Sequence, residues 1–357
     1  MRFDADANLA GKRTNILMIL LLLCCLTGSL HAQDLASLKA KADAGDVNAQ
    51  LEVAKAYESG RGTNSDQYEA AAWYEKAAEQ GNAEAQNILG VKYRLGEGVP
   101  KDLEIAVKWY RTSAKNGNAE AMFNLGTAYY NGDGIPIDDV RSLAWFELAG
   151  EFGSKAAPDA VQRAVTELKA SQITDALQKA ADMMAMGDGV PLRPESAVKL
   201  LNQAITMGSK GAILRMANLY INGKGVERDY ATALKYCQDG ANQNLAPAMT
   251  CLGRFYQTGS GVPADTAKAL EWYHKAAECG EAESMVRLAK LYQDGGAGLV
   301  DKSQAYIYYL LAQIRIPDAR TAAASIKTQL TQKEVDRCEK KAREMYAKIV
   351  SRKNCEF

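Results

Sequence analysis

The sequence predicts an all-α fold, a solenoid of about seven 36-residue helix-turn-helix repeats, and three observations carry that expectation. First, a Gly-x-Gly pair recurs at Gly60/Gly62, Gly96/Gly98, Gly132/Gly134, Gly187/Gly189, Gly223/Gly225 and Gly259/Gly261, and in part at Gly295. Successive first glycines lie 36 residues apart, except between Gly132 and Gly187, where 19 extra residues intervene. Second, the flanking columns keep phase. Tyr57, Tyr93, Tyr129, Tyr220, Tyr256 and Tyr292 stand three residues before the first glycine, with Met184 in the fourth copy. Trp73, Trp109, Trp145, Leu200, Tyr236, Trp272 and Tyr308 stand thirteen after it. Third, small and apolar residues recur at helical spacing within each unit, as in Ala85, Leu89, Gly90 and Tyr93.

Repetition also decides what the glycine loops do. The stretch NGDGIPIDDV, residues 131–140, would by itself suit a phosphate or a hard cation. Neither a Walker lysine nor an EF-hand glutamate is in place, and the loop returns once per period. The first glycine therefore reads as a left-handed C-cap of the first helix. Asp66, Asp102, Asp138, Asp229, Asp265 and Asp301, six residues after it, read as N-caps of the second helix; the fourth copy has Arg193. The second helix carries small residues and aromatics on one face, as in Ala106, Trp109, Tyr110 and Ala114, and these fill the space between neighbouring units.

The elements follow in order. Residues 1–32 read as a secretory signal peptide: Arg2, Lys12 and Arg13 precede the apolar run Ile16–Leu26, and Ala32 offers a cleavage point. The run is short for a retained anchor, and large residues precede Cys24, against a lipid-anchored cysteine there. Residues 33–45 are expected to form an N-terminal capping helix, 46–154 three repeats, and 155–175 an inserted helix with Pro158 in its first turn. Residues 176–312 are expected to hold four more repeats, and 313–357 C-terminal capping helices. Thr331 to Glu334 forms a capping box, with Leu330 and Val335 as a hydrophobic staple.

The repeat pattern, clearest at 83–117 and 246–280, resembles the Sel1-like repeat, a relative of the tetratricopeptide repeat. The resemblance implies a right-handed α/α superhelix and a role as an adaptor in larger complexes. By the same analogy, groove residues come from the first helix at two, five and nine positions before the first glycine. That places Val91, Arg94, Phe123, Thr127 and Tyr130 in the first block, and Asn218, Arg254, Gln257 and Lys290 in the second. Internal packing of Phe123 and Val91 is the alternative.

Composition points the same way. With 43 basic and 43 acidic residues the chain carries no electrostatic footprint for nucleic acid. Cleavage after Ala32 leaves a single histidine, His274, which excludes multi-histidine metal sites; its counterparts Glu75 and Arg111 suggest a surface position. Five cysteines remain, so at least one is unpaired. Cys237 and Cys251 lie nearly equidistant from the turn near Asn244, which allows a bridge between adjacent repeats, with two separate small thiols as the alternative. Cys279, Cys338 and Cys355 cannot be paired from sequence.

No catalytic constellation, cofactor motif or small-molecule site emerges. The expectation is a non-enzymatic exported scaffold, periplasmic or else secreted or outer-membrane associated, that binds a protein or peptide partner. Two readings compete with it. One is a cell-envelope hydrolase, β-lactamase-like or acting on cell-wall material; the β-lactamase set of Ser-x-x-Lys, Ser-Asp-Asn and Lys-Thr-Gly is not assembled here. The other is a secreted effector that binds host proteins.

Overall fold

A computed structural model describes residues 34–351, apart from 224, 225, 297 and 299. The expected signal peptide and Cys355 lie outside the described residues. Among the described residues the secondary structure is helical and no strand occurs. No described helix is long and apolar enough to cross a membrane.

Two compact units divide between Pro191 and Leu192. In the first, helix α1 (34–43) precedes three pairs: α2 (Val47–Ser59) with α3 (Gln67–Glu79), α4 (Ala83–Leu95) with α5 (Leu103–Lys115), and α6 (Ala119–Asn131) with α7 (Asp139–Glu151). Then come α8 (Ala157–Glu167) and α9 (Ala170–Met186). Each second helix packs on its own partner and on the first helix of the next pair; α7 packs on both α8 and α9.

The second unit begins with α10 (Pro194–Thr206) and continues as three pairs: α11 (Lys210–Asn222) with α12 (Tyr230–Asn242), α13 (Ala246–Thr258) with α14 (Thr266–Glu278), and α15 (Ala282–Asp294) with α16 (Lys302–Ala312). Helices α17 (Asp318–Lys327) and α18 (Gln332–Ser351) both pack on α16. Val335, Cys338 and Ala342 of α18 are buried against Tyr306 and Leu311. The Thr331 N–H donates to Glu334 Oε2 at 2.8 Å, and Leu330 packs against the same cluster.

The recurrent residues explain these elements. Each first glycine, from Gly60 to Gly295, is a left-handed C-cap. Asp66, Asp102, Asp138, Asp229, Asp265 and Asp301 each accept a backbone N–H of the helix they open. Such a cap contributes about 1 kcal/mol. Arg193 makes no such bond, and Pro194 starts α10 instead. First helices are capped as well, by Asp46, Asn82, Asn118 and Ser209, a device the glycine and aspartate columns do not reveal.

At Gly98 and Gly134 the second glycine, also of positive φ, has a further job. A Cβ on Gly98 would come 1.9 Å from the Gln67 carbonyl oxygen, and one on Gly134 2.3 Å from that of Leu103. Both carbonyls belong to the first turn of the second helix of the preceding repeat. The loop of one repeat therefore lies directly on the backbone of its neighbour, and only a residue without a side chain fits.

Candidate functional site

The sites build up at the joints, where both helices of one repeat meet the first helix of the next. A buried side chain of the second helix sits at the centre of each, aromatic in five repeats and Leu201 or Cys237 in the other two. In the joint between repeats one and two this is Tyr74, whose hydroxyl donates to Glu58 Oε2 at 2.8 Å. Lys92 of α4 enters the same space, 1% exposed, with its Nζ 2.7 Å from Glu58 Oε1 and 2.9 Å from Gln67 Oε1. Burial and the Glu58 carboxylate together push the Tyr74 hydroxyl pKa well up. This joint is filled and satisfied by its own side chains.

One repeat on, the backbone is the same and the chemistry is changed at three columns. Tyr110 takes the place of Tyr74 and is 1% exposed. Arg94 replaces Glu58, Leu103 replaces Gln67, and Ala128 replaces Lys92. The result is a cavity of about 170 Å³ lined by Arg94, Leu103, Tyr110, Phe123, Thr127 and Asp133, among others. The buried Tyr110 hydroxyl has no hydrogen-bond partner. Burial raises its pKa and the Asp133 charge adds to that, while the adjacent Arg94 guanidinium opposes it. Arginine offers only donors, so Arg94 cannot accept the phenol proton as Glu58 does. Elsewhere in the column an acceptor is restored: Tyr273 donates to Gln257 Oε1 at 2.6 Å and Tyr309 to Gln293 Oε1 at 3.0 Å. Burial pushes the Tyr273 hydroxyl up to about 12.

A second cavity, about 240 Å³, adjoins the first and shares Phe123 and Thr127 with it. Phe146 forms part of its wall, and Ala160, Arg163 and Glu167 of α8 close it. Tyr130, 45% exposed, donates to Glu167 at 3.1 Å across the opening. Helix α8 therefore turns the end of the third repeat into a walled pocket.

The structure thus brings Arg94, Phe123, Thr127 and Tyr130 to two neighbouring cavities. Val91 is half-buried outside both. In the second unit Arg254 lines a cavity of about 130 Å³ with Ile221, Tyr230, Cys251 and Phe255. Asn218, Gln257 and Lys290 are exposed, and Gln257 is engaged by Tyr273. Sequence reasoning missed Tyr110, Asp133, Arg163 and Glu167. Tyr110 had a signal: its partner sixteen residues back is an acceptor in repeats one, six and seven but Arg94 here.

Cys237 and Cys251 form a disulfide, with an S–S distance of 2.04 Å and Cα atoms 5.9 Å apart, joining α12 to α13. The Cys251 column is polar in every other repeat but the second, which has Ile88, yet here the residue is half-buried beside the fully buried Cys237. Cys279 is disulfide-bonded as well, and Cys338 is free and buried. The surface position expected for His274 is wrong. Its ring is half-buried, with Nε2 3.1 Å from the Tyr292 hydroxyl and Nδ1 2.9 Å from that of Tyr308. Tyr308 stands where four other repeats carry tryptophan, and its hydroxyl gives the imidazole a partner in the joint. Burial lowers the His274 pKa.

Comparison with known proteins now fixes the family. The Sel1 repeat family model matches residues 47–82, 83–118, 119–153, 174–209, 211–245, 246–281 and 282–312. This chain belongs to the Sel1 repeat family. Sel1 repeat proteins generally act as protein–protein interaction scaffolds. A protective antigen of uropathogenic Escherichia coli strains with an SLR fold is 30% identical, covering 89% of this chain and 71% of its own, at a TM-score of 0.42. A Sel1 repeat protein from Oxalobacter formigenes is 27% identical, covering 85% and 82%, at a TM-score of 0.40. No functionally curated protein matches. Among the described residues, no group of histidine, cysteine and acidic side chains could hold a metal ion.

Proposed function

We propose that this Sel1 repeat protein is a non-enzymatic, exported scaffold that seats a protein or peptide partner along the first helices of its second and third repeats. The observation that carries the reading is the pair of adjoining cavities on α4 to α8. Half-buried Phe123 and buried Phe146 stand there beside Arg94, Tyr130 and Arg163, the mixture of aromatic and arginine contacts that binding hot spots use. Export is supported by the n-region, apolar run and Ala32 of the leader, and by the disulfide chemistry of the second unit, which suits an oxidising compartment.

Two measurements test this. Fractionation of cells expressing the full chain should place the processed protein outside the cytoplasm, with Cys237 and Cys251 oxidised; a cytoplasmic, unprocessed chain would end the export reading. Reduction of the bridge, which spans 14 residues of sequence, should lower unfolding free energy by about 3 kcal/mol. Affinity capture with the mature protein should recover a partner that a folded Tyr130→Ala variant retains poorly. Equal recovery by both would remove the groove from the interaction.

A further inference from the structure

We infer that the cavity at Arg94 and Tyr110 receives the carboxylate side chain of an acidic residue in an extended segment of the partner polypeptide. The inference rests on the scaffold reading above and adds the chemistry of recognition.

The preceding joint shows what this space holds when the protein fills it. There a charged side chain, Lys92, reaches in beside Tyr74 and pairs with Glu58. In the next joint the equivalent residue is Ala128, so the charged side chain is gone and a cavity of about 170 Å³ is left. The charge at the Glu58 position is also reversed, because Arg94 stands there. The Tyr110 hydroxyl is buried with an unused donor. A guanidinium and a phenol O–H converging on one small space call for an acceptor bearing negative charge. Leu103, in place of Gln67, offers no acceptor of its own. Asp133 also lines the cavity, where its carboxylate accepts from Asn131 at 3.2 Å and is positioned to take a peptide N–H from the entering segment. Arg94, Phe123, Thr127 and Asp133 are half-buried, so the space opens to solvent. The volume suits one side chain and no more. The adjoining cavity, walled by Phe123 and Phe146, suits an apolar side chain of the same segment.

The test uses the mature full-length protein and acetylated, amidated decapeptides labelled for fluorescence polarisation. Each carries one Glu and one Phe at separations of one to four residues, and each has a twin with Gln for Glu. At the best separation the Glu peptide should bind at least tenfold more tightly than its twin. Arg94→Gln installs the partner that Gln257 gives Tyr273, so this variant keeps its fold; it should lose the Glu preference. Arg94→Glu should favour a Lys peptide over the Glu peptide, and Tyr110→Phe should weaken Glu binding about three- to tenfold. Equal binding of Glu and Gln peptides overturns the carboxylate site but leaves the groove reading standing; no binding by any peptide counts against both. Binding that needs a free C-terminal carboxylate, or free glutamate binding as well as the peptide, would also overturn the assignment to a partner side chain.

Discussion

The joint between repeats one and two and the joint between repeats two and three share one backbone plan and one buried tyrosine, yet one is closed and the other open. In the first, Lys92, Glu58 and Gln67 complete a charged network around Tyr74. In the second, Ala128, Arg94 and Leu103 leave Tyr110 without a partner and a cavity beside it. The repeat keeps glycine, aspartate and aromatic columns because they hold neighbouring units at a fixed spacing. Three columns that do not set that spacing are free to change, and changing them is enough to convert packing into a surface for recognition.

The comparison is tested most severely through what the two joints share. Gly98→Ala and Gly134→Ala each drive a methyl group onto a neighbouring backbone carbonyl. Each should cost about 4 kcal/mol or more in urea unfolding, among the largest effects of single substitutions. Gly45 also has positive φ but has nothing within 4 Å of an added Cβ, so Gly45→Ala should cost only about 1 kcal/mol. Equal losses at all three positions would mean that loop conformation, and not contact between repeats, is what these glycines secure.

The difference between the joints is sharpened by moving charges between them. Lys92→Ala removes a buried ammonium from Glu58 and Gln67 and should cost about 2 kcal/mol, discounted because the Glu58 side chain is 39% exposed. Ala128→Lys should destabilise, since it sets a second cation beside Arg94. Combined with Arg94→Glu it should recover about 1–2 kcal/mol by rebuilding the pair of the first joint, a coupling readable in a double-mutant cycle.

Smaller effects serve as controls. Asp102→Ala unties the start of α5 and should cost about 1 kcal/mol without altering peptide binding, because the cap does not line the cavity. His274 belongs to the second unit, and both joints belong to the first. Its folded pKa is lowered by burial, so the unfolded chain binds the proton first as pH falls. Its contribution is present above the unfolded value near 6.5 and is lost as pH drops through the folded value. Wild type should therefore lose more Tm between pH 7.5 and 5 than His274→Gln does, by a small margin.

Much of the fold was legible because repetition averages out local ambiguity. Seven aligned copies identified the aspartate caps and the first glycines, and each does the job expected of it. The second glycine was less transparent, since its reason is a carbonyl of the preceding repeat that no local pattern displays. His274 was misread from its column because polar counterparts imply solvent only when the next repeat carries an ordinary neighbour, and Tyr308 is not one. Tyr110 was legible in principle. Comparing Glu58 with Arg94, Gln67 with Leu103 and Lys92 with Ala128 at an offset of 36 residues exposes a charge reversal and a loss of volume. That the changes converge on one space requires coordinates.

The most direct test is site-specific photo-crosslinking in living cells, with benzoylphenylalanine at Thr127, which lines both cavities, or at Lys108, exposed on α5 and lining neither. The expected result is a covalent adduct with another polypeptide from Thr127 and none from Lys108. Adducts of equal yield from both positions, or from Lys108 alone, would contradict recognition through this groove.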